Sequence, residues 1–146
     1  MKAFTGTFEF KVDAKGRVSI PAAFRNILVA SGDATIYAAI APGQNAIRCL
    51  TAATVEAALQ NVSATQSLVG GEPSDEEILV ARMQTIEPDS DGRVTLPRGL
   101  LEKAGITTTV TVAGRGRHFE IWEPAAFLAF QTQHESRIAA RHRPSP

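Results

Sequence analysis

The chain is poor in sulfur and in aromatic rings: its 146 residues include one Cys, two Met, one Trp and one Tyr. A lone Cys49 excludes an intrachain disulfide framework and favours a reducing compartment. Set between Arg48 and Leu50 in an apolar stretch, it reads as a small core residue. No apolar run approaches the roughly 20 residues of a membrane span. Lys2 and the charged Phe8–Lys11 stretch break what would otherwise be a leader, so no signal peptide is expected. Gly-x-Ser-x-Gly, P-loop and dinucleotide motifs are missing, so neither an enzyme nor a bound cofactor is expected. His118, His134 and His142 lack metal-ligand spacing. Net charge is missing too, with 15 basic and 15 acidic residues. The charges are nevertheless segregated: residues 1–25 carry a net +3 and residues 71–91 a net −6. A neutral chain can therefore still present a basic face.

The chain does contain a repeat of itself. Residues 13–21 read DAKGRVSIP and residues 89–97 read DSDGRVTLP, an offset of 76. Asp, Gly, Arg, Val and Pro recur in place, and Ser19/Thr95 and Ile20/Leu96 are conservative changes. Two copies are too few for a solenoid, so the pattern predicts a tandem duplication of one small unit. Half of such a chain is near the lower limit for an independent core. The halves are expected to pack on each other, on a second chain, or both.

Phe8, Phe10 and Val12 alternate with charged residues, as do Val18 and Ile20 with Arg17 and Ser19, the period of half-buried strands. Ala14-Lys15-Gly16 between them predicts a three-residue hairpin loop ending in a left-handed glycine. Pro21 suits the start of a helix with Phe24, Ile27 and Leu28 on its buried face and Gly32 at its end. Ala34–Ile40 and Ala46–Leu50 read as strands around Pro42-Gly43. The second copy repeats this order: a hairpin from Asp89 to Leu96, a short helix from Pro97 to Gly105, and strands over Thr107–Ala113 and Phe119–Trp122. Pro88, at the place of Val12, predicts a short or edge strand. Helices are expected over Ala53–Leu68, after a Ser74/Glu77 capping box, and from Pro124 through Phe127, Leu128 and Ile138, with a frayed tail. Trp122 and Phe119 read as core, and Gly114–Arg117 as a basic loop or plain turn. The predicted class is α+β: two pseudo-symmetric hairpin/helix units with added helices. The boundaries are 1–52 and 85–124 for the units, 53–84 for a helical linker and 125–146 for the C-terminal helix and tail.

The Asp-x-x-x-Arg pairs carry the functional reading. An exposed cross-strand ion pair is usually worth only about 0–1 kcal/mol, so a purely structural role is the competing account. Its presence at the same point of two turns favours function. Asp13 would hold Arg17 extended, ready to grip a phosphate or a guanine edge, and two-stranded ribbons do enter the major groove. The expected DNA-binding set is Asp13, Lys15, Arg17, Arg25, Asp89 and Arg93. Lys15 and Arg25 have Asp91 and Leu101 as repeat mates, so the first turn is expected to carry most of the affinity. The alternative is an assembly or antitoxin-like module in which the pairs only brace the turns.

The doubled motif, with Phe4, Gly6 and Phe24-Arg25 beside its first copy, resembles the MraZ family over nearly the full length. That resemblance implies two AbrB-like units of the swapped-hairpin (double-psi) barrel type. It also implies a regulator of the division and cell-wall gene cluster that binds double-stranded DNA repeats upstream of its own operon. Ring-shaped homo-oligomers, a cytoplasmic, nucleoid-associated location, and no membrane or small-molecule substrate follow from the same likeness.

Overall fold

A computed structural model describes residues 2–32, 34–60, 62 and 68–144. The first copy supplies strands β1 (Thr7–Lys11) and β2 (Arg17–Ser19), helix α1 (Ala22–Ala30), and strands β3 (Ile36–Ile40) and β4 (Ile47–Leu50). Helices α2 (Ala52–Leu59) and α3 (Asp75–Arg82) follow. The second copy repeats the series as β5 (Gln84–Ile86), β6 (Arg93–Thr95), α4 (Arg98–Lys103), β7 (Thr109–Gly114) and β8 (Phe119–Trp122). Helix α5 (Pro124–Arg141) closes the chain.

The strands on either side of each turn do not form a hairpin ladder with each other. β2 pairs antiparallel with β6 of the other copy, with Val18 opposite Val94, in a two-stranded sheet. β1 pairs with β7, and β5 with β3. The six-stranded sheet therefore runs β1-β7-β8-β4-β3-β5, an order that reads the same when the copies are exchanged. The simple hairpins expected from the sequence are thus replaced by swapped ones. A period-2 pattern identifies a strand but not its partner. The AbrB-like class holds, although the large sheet stays open, with β1 and β5 as its edges. β5 is three residues long and lies at an edge, as Pro88 demanded.

One core joins both copies. Val18 and Val94 are fully buried, with Ile20, Leu96, Leu28, Ile47, Ile121, Val110 and Val112 around them. Phe4, Phe24 and Phe119 form an aromatic triangle with centroid spacings of 5.1 to 5.2 Å. Cys49 lies in this core, where burial pushes its thiol pKa far above the ordinary value. Phe4 is held by paired backbone bonds to Gly116, which extend the β1–β7 edge toward the N-terminus. Gly114 makes that approach possible, because a Cβ there would lie 2.5 Å from the Phe4 carbonyl carbon and 2.6 Å from the Thr5 nitrogen.

The Ser74/Glu77 capping box opens α3 as read from the sequence. The helix expected over Ala53–Leu68 ends at Leu59, and part of the remainder, Asn61 and 63–67, lies outside the described residues, as does the end of the tail. The three apolar residues read into α5 differ in burial. Leu128 and Ile138 are exposed. Phe127 and Phe130 instead pack on Trp122, and His134 stacks on Phe130. Among the described residues no helix is long and apolar enough to cross a membrane.

Candidate nucleic-acid interface

Each turn is built by its own aspartate. Asp13 Oδ1 accepts from the backbone N–H groups of Lys15 and Arg17 at 2.9 and 2.8 Å. Asp89 Oδ1 does the same for Asp91 and Arg93 at 2.9 and 3.0 Å. The turn glycines, Gly16 and Gly92, take φ of 78° and 75°, a region that side chains other than hydrogen rarely occupy. Both aspartates have their pKa lowered, in each case first by the backbone N–H of the arginine four residues on.

The strand exchange then fuses the two turns. Gly16 O accepts from Leu96 N at 2.9 Å, and Gly92 O accepts from Ile20 N at 3.0 Å, so each turn is anchored on the other copy. In the β2–β6 ladder Arg17 faces Thr95 and Ser19 faces Arg93. With Val18 and Val94 buried between them, the alternation of strand side chains turns Arg17 and Arg93 to the same outer face. Asp13, Arg17, Asp89 and Arg93 thus form one patch, with Lys15 exposed beside it.

The two arginines differ in their neighbours. Arg17 Nε binds Asp13 Oδ2 at 2.5 Å, which leaves the two terminal nitrogens of the guanidinium outside that pair. Arg93 lies among three carboxylates: Asp91 at 3.4 Å, and Asp89 and Asp13 each at 3.9 Å. The pair geometry foreseen for Arg17 is therefore present, whereas Arg93 is held loosely and its charge is largely offset.

Arg25 departs from expectation. It was grouped with the first turn, but its side chain lies over the second. A Cβ on Gly92 would meet Arg25 Cζ at 2.6 Å and Cδ at 2.8 Å. Its repeat mate Leu101 covers the first turn in the same way, with Cδ1 3.4 Å from a Cβ on Gly16. Position for position, each copy's first helix clamps the other copy's turn. The charge difference between the turns therefore narrows, since Arg25 adds its charge beside Asp89 and Asp91. Only the exchanged topology places it there.

Sequence reading missed a second charged cluster. Glu120 on β8 is 3% exposed at its side chain, and Arg48 and Arg115 bind it at 3.3 and 2.9 Å. The Trp122 indole N–H also donates to Glu120, at 3.2 Å. His118 Nε2 lies 3.5 Å from Oε2, close enough to act on the charge but without hydrogen-bond geometry. Burial alone would raise the Glu120 pKa. The opposing pull of His118, Arg115 and Trp122 brings it from 4.5 down to about 2. Arg115 lies in the turn between β7 and β8, as read, and its side chain pairs with Glu120 and stacks over Phe127 and Phe130. The signal that would have found this cluster is the opposed charge of Arg48 and Glu120 at equivalent places in the two copies, which face each other in the β4–β8 ladder.

The family model described as "MraZ protein, putative antitoxin-like" matches residues 3–39 and 79–144. A protein called Transcriptional regulator MraZ in Parvibaculum lavamentivorans is 34% identical over 146 aligned positions, covering 94% of this chain and 86% of that one. Proteins of the same name in Gluconacetobacter diazotrophicus and Rhodospirillum rubrum are 37% and 38% identical. Those alignments cover 97% and 88% of this chain, and 90% and 84% of theirs.

Proposed function

This chain belongs to the MraZ family, and from that premise we propose that it is a transcriptional regulator that grips DNA through its paired turns. The observation that carries this reading is the fusion of the two Asp-x-x-x-Arg turns into one outward patch across the β2–β6 ladder. Asp13 and Asp89 shape the turns, and Arg17 and Arg93 are the groups that reach the duplex. Lys15 adds a phosphate contact, and Arg25 adds charge from above the second turn. A patch of this kind, with seven charged residues netting only +1 (Arg25 and Asp91 included), binds weakly alone. A homo-oligomer of ring type would set several patches on spaced repeats, so that avidity supplies the affinity. The DNA repeats upstream of its own gene, in the division and cell-wall cluster, are the proposed target.

The test is binding to that upstream DNA, followed by anisotropy at several salt concentrations. Arg17→Ala should cost about 1–3 kcal/mol of affinity with the melting temperature unchanged. Arg93→Ala should cost less, because its three carboxylate neighbours already offset its charge. Lys15→Ala should flatten the salt dependence by about one phosphate contact. Equal losses for Arg17→Ala and Arg93→Ala would refute the ranking. Early unfolding of Arg17→Ala, with normal binding by the folded remainder, would favour a bracing role for the pair.

Arg25 allows a cleaner separation of charge from packing. Arg25→Leu copies the residue that covers the first turn. Stability should stay within about 0.5 kcal/mol of the parent, as for most partly exposed substitutions. DNA affinity should fall and become less salt-sensitive. Unchanged affinity would restrict Arg25 to its clamp on Gly92.

A further inference from the structure

The Glu120 cluster opens on a cavity of about 350 Å³ between α5, strands β4 and β8, and the β7–β8 loop. That volume lies at the small end of ligand-binding pockets. Four polar atoms of residues lining it are buried yet have no hydrogen-bond partner among the described residues: Gln44 Oε1, Arg48 Nε, Arg115 Nη2 and His118 Nε2. Such atoms are rare in folded proteins, and four around one cavity are a set rather than an accident of packing.

Glu120 does not exhaust its donors. Its two oxygens take Arg115 Nε, Trp122 Nε1 and Arg48 Nη2, which fixes both guanidiniums in place. A nitrogen of each arginine remains unpaired, and so does the imidazole nitrogen nearest the carboxylate. Arg137 on α5 adds a third cation to the lining, and Glu135 is its only other carboxylate. The lining is thus net positive by one with both histidines neutral. The side chains that line it carry three unpaired nitrogens and one unpaired amide oxygen, with Phe130 as an apolar wall.

We propose that this cavity is a binding site for a small phosphate monoester. A planar carboxylate offers two oxygens, whereas a phosphate offers three that are free of the ester link, one for each donor. The Gln44 oxygen accepts from a protonated phosphate oxygen or from a neighbouring hydroxyl of the ligand. Arginines already oriented by Glu120 lose little freedom on binding, which favours a charge-assisted grip. The site is built from β4, β8, the β7–β8 loop and α5, not from the paired turns, and it is independent of the DNA reading.

Trp122 is the single tryptophan of the chain, and its indole N–H is bonded to Glu120. Its ¹H–¹⁵N resonance therefore reports on the cluster. The full-length protein is titrated with inorganic phosphate, phenyl phosphate, acetate and chloride at constant ionic strength. The two phosphates should move the resonance saturably, with dissociation constants of about 1 mM or below. Acetate should bind at least about tenfold more weakly, and chloride should give no saturable shift. His118→Asn should weaken phosphate binding about tenfold. Arg137→Gln, on the exposed face of α5, should weaken it about threefold with the fold intact. An unsaturable response to both phosphates, acetate binding as tight as phosphate, or unchanged affinity in both variants would each overturn the proposal.

Discussion

Gly114→Ala is expected to lower the melting temperature by about 10 °C, corresponding to a loss of about 3 kcal/mol. The added methyl would collide with backbone, the carbonyl of Phe4 and the nitrogen of Thr5, which cannot rotate away as a side-chain tip can. Relief requires the N-terminal segment to lift from β7. That breaks the paired bonds of Phe4 to Gly116 and removes a ring that is 2% exposed from the aromatic triangle with Phe24 and Phe119. Gly99→Ala is the control. Gly99 lies in α4 with nothing within 4 Å of a built Cβ, so the change should stabilise by about 0.5–1 kcal/mol. Calorimetry or thermal circular dichroism of the two variants checks both. Similar shifts for the two would mean that the Phe4 segment contributes little.

Glu120→Gln should cost about 2–3 kcal/mol at neutral pH. Removing one member of a buried pair leaves the other charges uncompensated. The cost falls at or below the usual range for buried pairs, because the Arg115 and Arg48 side chains retain 28% and 36% exposure. The pH dependence follows from the direction of the shift. The folded-state pKa is depressed from 4.5 to about 2, so the folded state holds the carboxylate charged where the unfolded chain has taken up its proton. The stabilisation is complete above pH 4.5 and is lost as pH falls toward and through about 2. Asp13 and Asp89, also depressed, act in the same direction. Chemical denaturation of parent and variant at neutral and acid pH should show the gap closing on acidification. A gap that stays constant down to the acid limit would show that shape, not charge, is what Gln fails to supply.

How much of this was legible in the residues depended on whether the information was local. The turns were, because Asp, Gly and Arg are each placed by hydrogen bonds and dihedral angles that span five residues. The same holds for the Ser74/Glu77 cap, the short edge strand before Pro88 and the start of α5 at Pro124. Strand partners were not, since Phe8 and Phe10 announce a buried face without saying that β7 supplies the neighbour. Arg25 was misplaced for that reason alone: it is near the first turn in sequence and over the second in space. Glu120 was not singled out, because a carboxylate in a strand ordinarily marks the solvent face; yet all four residues of β8 are buried, because the sheet is covered on both sides there.

The pairing of Arg48 with Glu120 has a consequence for a chain that contains two copies of one unit. Such a chain can in principle join like to like, first copy with the first copy of another molecule, as readily as it joins its own halves. Like-to-like joining would set Arg48 against Arg48, or Glu120 against Glu120, at the middle of the ladder. Repulsion directly across strands opposes both arrangements. Only the mixed pairing brings opposite charges together. The central ladder thus favours the joining of unlike copies over like ones.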